Sequence, residues 1–152
     1  MGFDYRQVKQ FRDNLEQLDK EKDEFLQSCA KELAARLLTL AIRRTPSDTG
    51  TLKRGWTAQR AGSGAEGLKS NGGRQFAETM KVHHFGDTYV IEVINPVEYA
   101  SYVEYGHRTR NHAGWVKGKF MMTISEKEIQ VAAPQILEKK LEKWLRGCLN
   151  GK

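Results

Sequence analysis

Tyr99-Ala100-Ser101-Tyr102-Val103-Glu104-Tyr105-Gly106, entered through Asn95-Pro96, carries a helix start and a helix stop within one short segment. Asn95 suits an N-cap, Pro96 the first helical position where no amide partner is needed, and Glu98 stands three residues after the cap, within reach of its free amide. Gly106 can take the left-handed conformation that closes the helix, which predicts about two or three turns. Tyr99 and Val103 share a face with Tyr102 beside them, so the spacing predicts that these side chains wedge the helix against a sheet.

Upstream, Tyr89, Ile91 and Val93 alternate with Val90, Glu92 and Ile94, a strand to Asn95 with two largely apolar faces. One face is expected to meet a helix and the other a neighbouring subunit. Phe76 to Phe85 reads as its partner strand, joined through Gly86-Asp87, whose glycine suits the first central position of a type II′ hairpin turn. Ala61 to Gly73 is glycine-rich and reads as a long flexible loop, 62–74. Before it, Thr51 to Ala61 carries Leu52 and Trp56 at even spacing and reads as a first strand. Pro46 stops the preceding helix, and Ser47-Asp48-Thr49-Gly50 makes a turn in which Gly50 takes a positive φ.

From Phe3 to Arg44 the pattern is helical: Val8, Phe11, Leu15 and Leu18, then Leu26, Cys29, Leu33, Leu37 and Leu40. The polar run Asp19 to Glu24 interrupts the stripe, so two helices meeting near Leu18 to Asp19 are expected, the first (1–18) mobile. Downstream, His107 to Lys119 is a basic loop with one tryptophan. Phe120 to Ile124 is an apolar run that starts either a strand or a helix. Ser125 with Glu128 reads as a capping box before an amphipathic C-terminal helix, in which Pro134 makes a kink or begins the final segment. The fold class is α+β in a single domain, 1–152: long N-terminal helices and a C-terminal helix packed on a small antiparallel β-sheet, with a short helix after the last strand.

At 152 residues, 39% hydrophobic and 29% charged, the chain fits one soluble domain with a real core. No apolar run approaches the ~20 residues of a membrane span, and the first ten residues lack the apolar stretch of a signal peptide. A net charge of +6 favours nucleic acid or acidic partners, moderated by 19 acidic residues mixed among 25 basic ones. Cys29 and Cys148 stand far apart without a ligand pattern, which suits free thiols.

The catalytic classes find little support. Asp48-Thr49-Gly50 matches the aspartic-protease triplet, but the preceding residues are arginines, a threonine and a proline where that chemistry needs an apolar strand. His83 and His84 are adjacent, hence on opposite strand faces, and His107 and His112 lack a third ligand. No phosphate loop, nucleophile elbow or dinucleotide fingerprint occurs. A protein without enzymatic activity, cofactor or metal is expected. Arg108, Arg110, Lys117 and Lys119 remain as candidate contacts to DNA phosphates or an acidic partner.

Thr45-Pro46-Ser47-Asp48-Thr49-Gly50-Thr51-Leu52 after a long helix, then a strand pair, then Tyr99 to Gly106, resembles the tail-completion or head-tail joining family of tailed bacteriophages. The resemblance runs from roughly Leu33 to the C-terminal helix. It implies a small α+β subunit that forms a homo-oligomeric ring at the neck or the head-proximal end of the tail. Its partners would be neighbouring connector and tail-tube or tail-terminator proteins, with DNA in the lumen and no membrane. Such a protein would be found in the bacterial host cytoplasm during assembly, then in the virion neck or tail. The matched positions are Pro46, Asp48, Thr49, Gly50 and Leu52, then Tyr99, Ala100, Val103, Glu104 and Gly106; with Trp56 and Tyr102 they are expected to have interface or structural roles. The rival class is a sequence-independent DNA-binding module.

Overall fold

The first helix, α1 (Tyr5–Arg44), runs without interruption in the computed structural model, which describes residues 5–46, 50–57 and 73–149. The break expected near Leu18 to Asp19 is absent. The polar run is built of good helix formers, and its side chains tie successive turns: Gln17 donates to Glu21 at 2.7 Å, Gln27 donates to Asp23 at 2.8 Å, and Lys22 lies 3.6 Å from Asp19. Losing the apolar stripe therefore changes what the helix touches and leaves its backbone intact.

Beyond that run, α1 presents Cys29, Ala34, Ala35, Leu38, Ala41 and Ile42 to the core, and Leu38 is 0% exposed. The C-terminal helix α5 (Met121–Leu149) returns antiparallel along this face: Arg44 donates to Ser125 near the start of α5, and Phe25 stacks on Trp144 near its end with ring centroids 4.4 Å apart. Phe120 to Ile124 thus resolves as a helix start. Ser125 and Glu128 lie inside α5 and take Arg44 as their partner instead of forming a capping box. Pro134 neither ends nor restarts the helix; it is exposed, where the carbonyl it deprives of a donor meets water.

Two predicted strands are helices. Thr51–Gly55 is α2, and Leu52 and Trp56 are buried on one side of it and its last turn. Phe76 to Thr79 belongs to α3 (Gly73–Thr79), which lays buried Ala77 and half-buried Phe76 and Met80 against α1. Charge holds α3 there: Arg74 donates to Glu32 at 2.7 Å, and the ammonium of Lys31 donates to the carbonyl of Glu78 at 2.9 Å. Together with Arg36 at 3.0 Å, Arg74 holds the Glu32 carboxyl down at about 2, against an ordinary 4.5.

The strands are short. β1 (His83–Phe85) pairs antiparallel with β2 (Thr88–Val90), Phe85 opposite Thr88, across the expected Gly86-Asp87 turn in which Gly86 has φ 59°. This ribbon is pinned to α1 by the Tyr89 hydroxyl, which donates to Asp23 at 2.7 Å and lowers that carboxyl's pKa. The strand expected to reach Asn95 stops at Val90, because α3 takes the residues that would have lengthened β1. Ile91 and Val93 nevertheless face the core, while Val90 and Ile94 are exposed, so the alternation survives without a ladder. The second ribbon pairs β3 (Gly106–Arg108) with β4 (Trp115–Lys117) at the far side of the short helix α4 (Ala100–Tyr105). The α+β class stands, with two two-stranded ribbons in place of one sheet. The flexible loop expected over 62–74 lies almost wholly outside the described residues.

Leu38→Ala should cost about 2–5 kcal/mol, read as a fall in the urea midpoint, because a fully buried leucine leaves a cavity. Glu32 adds an acid sensitivity of defined sign. Its depressed pKa contributes stability above pH ~4.5 that is lost as pH falls toward about 2. Glu32→Gln should flatten the stability profile across that window in acid-titrated unfolding.

Candidate assembly interface

The described residues of the two motifs come together around one junction, where the end of α1 comes against the start of α5. From the first motif, the Trp56 indole N–H donates to the Thr45 hydroxyl at 2.8 Å, and that hydroxyl donates to the Ala41 carbonyl at 2.6 Å. All three residues are buried, so α2 is fastened to the last turn of α1 by a fully satisfied chain of bonds. Pro46 is half-buried just past the helix, and Gly50 has φ 73°, the positive value that its turn requires. Asp48 and Thr49 lie outside the described residues.

In the second motif, Glu104 is only 7% exposed, and its carboxylate reaches the start of α5. One oxygen accepts from the Met122 amide at 2.9 Å; the other accepts from the Thr123 amide at 2.8 Å and the Thr123 hydroxyl at 2.7 Å. These are amides that a helix start leaves without internal partners, and a carboxylate there also meets the positive end of the helix dipole. Two backbone bonds add to the join, Lys119 amide to Val103 carbonyl at 2.7 Å and Phe120 amide to Glu104 carbonyl at 3.0 Å. They hold Phe120 at φ 49°, a region a bulky residue seldom occupies. Gly106 has φ 88°, and a Cβ on it would collide with the Val116 carbonyl and the Trp115 indole, so glycine is required twice over.

Asn95 joins the two motifs. Its side-chain amide donates to the Leu52 carbonyl at 2.8 Å, and its oxygen accepts from the Val97 amide at 3.2 Å. A Cβ on Gly55 would collide with Asn95 and Val97. The expected cap at Asn95 is therefore a local turn plus a tertiary tie, and α4 begins only at Ala100, after Tyr99. That shift alters which side chains point inward. Ala100, Val103 and Glu104, spaced three and four apart, face the core, while Tyr99 and Tyr102 are exposed. The predicted wedge of tyrosines is overturned.

Two surfaces among the described residues are exposed and bear on assembly. Along the first turns of α1, Tyr5 (72% exposed), Val8, Phe11 and Leu15 form an apolar stripe on a helix that projects past the end of α5. On the opposite side of the molecule's sequence, Arg108, Arg110, Lys117 and Lys119 are exposed on and around the β3–β4 ribbon, beside exposed Trp115, Tyr102 and Tyr105. Among the described residues no group of three or more His, Cys, Asp or Glu could hold a metal ion, and no helix is long and apolar enough to cross a membrane. Arg44, Thr45, Asn95 and Thr123 were not legible as junction residues, since their partners lie up to 84 positions away in sequence. Glu104→Ala should cost roughly 2–3 kcal/mol by leaving part-buried amides unpaired, and lower Tm by about 4–12 °C in calorimetry, whereas Glu104→Gln, which keeps one of the two acceptor oxygens, should cost less.

A family model described as "Bacteriophage HK97-gp10, putative tail-component" matches residues 9–106. The match covers both motifs and most of the junction, and ends where β3 begins. No curated protein and no solved structure gives a match. With more than half of its length matched, the chain belongs to the HK97-gp10-like family of bacteriophage tail components.

Proposed function

We propose that this tail component acts structurally, closing with identical copies into a ring at the neck or the head-proximal end of the tail, where it completes the tail or joins it to the head. The observation that carries the reading is the division of the molecule into a locked junction and an exposed arm. The family's two motifs supply buried, mutually satisfied bonds, which suits a rigid building block better than a reacting centre. The arm, residues 5–20 of α1, is exposed at nearly every position and carries the stripe Val8, Phe11 and Leu15. A helix of roughly this length is marginal in water unless its apolar face is covered, and at ~1.5 Å per residue it spans about 24 Å, enough to lie across an adjacent copy. A head-to-tail contact of that kind repeats until it meets itself and so closes a ring.

The parts outside the junction would make the connections. The arm would dock on the next protomer, and the glycine-rich segment 62–74 would contact the neighbouring connector or tail-tube protein. Assembly would take place in the host cytoplasm, and the finished ring would stay with the virion neck or tail. Native mass spectrometry of the purified protein, alone and mixed with purified tails, should find multimers or tail-bound copies. Phe11→Asp with Leu15→Asp should abolish both while leaving the helical circular dichroism in place. A phage lacking the chain should produce tails that fail to join heads. A wild-type protein that stays monomeric and never binds tails would sink the proposal.

A further inference from the structure

Only the root of the β3–β4 ribbon joins the junction, and most of the ribbon, residues 107–119, lies beyond the span the family model matches. We infer that this ribbon is a nucleic-acid contact, gripping the DNA phosphate backbone without reading sequence. Its register places Arg108 opposite Trp115, Gly106 opposite Lys117 and His107 opposite Val116. Side chains alternate across a strand, so Arg108, Trp115 and Lys117 share one face and His107 and Val116 the other. The indole of Trp115 lies across Gly106, its nitrogen 2.8 Å from where a Cβ would stand, and the ring remains 63% exposed.

The ribbon is also preorganised. Its root is sewn to α4 by the amides of Lys119 and Phe120. Its tip is cross-tied: the Thr109 amide donates to the Gly114 carbonyl at 2.9 Å, the Gly114 amide to the Thr109 hydroxyl at 3.0 Å, and the Ala113 amide to the Asn111 side chain at 3.1 Å. Arg110 and His112 are thereby held out at the end of a fixed finger. Ordering such a loop on a ligand then costs less entropy than ordering a slack one.

Charge names the occupant. No acidic residue stands between Tyr105 and Lys119. The ion pairs among the described residues use Arg12, Lys22, Arg36, Arg44, Arg74, His84 and Arg146, and none uses Arg108, Arg110, Lys117 or Lys119. These four side chains and the Trp115 indole only donate hydrogen bonds. An acidic protein surface offers donors as well as acceptors, and these five side chains could accept none of its donors. A phosphate backbone only accepts, and the planar indole beside two cations offers a base a stacking surface.

The test is binding of a random-sequence 30-base-pair duplex by the full chain, followed by fluorescence anisotropy between 50 and 200 mM salt. Four phosphate contacts predict a slope of log K against log salt of about −3 to −4 per bound protomer. Arg108→Ser with Lys117→Ser should reduce the magnitude of that slope by about 2, while Lys127→Ser with Lys139→Ser on α5, equal in charge removed, should leave it unchanged. Trp115→Ala should weaken binding of a single-stranded thymidine oligomer by roughly tenfold. Equal binding by the ribbon variant and the wild type would overturn the inference, as would competition by polyglutamate matching that of DNA charge for charge. The result is separable from ring formation, because the ribbon variants should retain the multimers seen by native mass spectrometry, and loss of multimers by the arm variant says nothing about the salt slope.

Discussion

A buried carboxylate seated on the first amides of a helix is the constraint on which the arrangement depends. Glu104 comes from α4, yet the groups it satisfies belong to α5, and no residue of α5 caps those amides in its place. A carboxylate withdrawn from water costs free energy unless its oxygens are bonded, and helix-start amides cost free energy unless accepted. Each offsets the other's penalty only when the two helices stand in one relative position. The contact thus fixes geometry as well as contributing stability, and it sets the point from which α5 runs back along α1.

The rest of the junction answers the same requirement from the other side. Arg44, at the last position of α1, reaches Ser125 and Glu128, one and two turns into α5, while Trp56 and Thr45 fold α2 over the end of α1. Asn95 then ties the chain entering α4 to α2. The result is a closed circuit of α1, α2, α4 and α5 around a small apolar core, with alanines on α1 admitting close approach. Such a body is stiff where it must transmit position. The surfaces left over, an apolar arm and a basic ribbon, lie at its margins, as suits a component whose tail neighbours are other phage proteins.

Several mistaken expectations share one cause. Leu52 and Trp56 are four apart, a spacing that fits both a strand's even alternation and a helix's single face, and only burial against Thr45 selects the helix. Phe76, Ala77 and Met80 were equally readable either way until α1 offered them a groove and Glu32 a charge for Arg74. The polar run in α1 looked like a break because periodicity reports what a helix touches; whether the backbone continues is a matter of propensity and side-chain pairing. Tyr99 and Tyr102 were expected inward because Tyr99 and Val103 stand four apart, but α4 starts only at Ala100, and it is Ala100, Val103 and Glu104 that face the core.

By itself the sequence determined the α+β class, the two long helical regions, the Gly86-Asp87 hairpin, the glycine stop at Gly106 and the family, because each depends on local conformational preference or on short motifs in a fixed order. The tertiary structure alone decided that Glu104 caps α5, that Arg44 meets Ser125, that the small sheet is two separate ribbons, and that Arg108, Trp115 and Lys117 share a face. Those outcomes depend on pairing between residues distant along the chain, and a buried donor or charge takes whichever partner the packed fold brings within bonding distance.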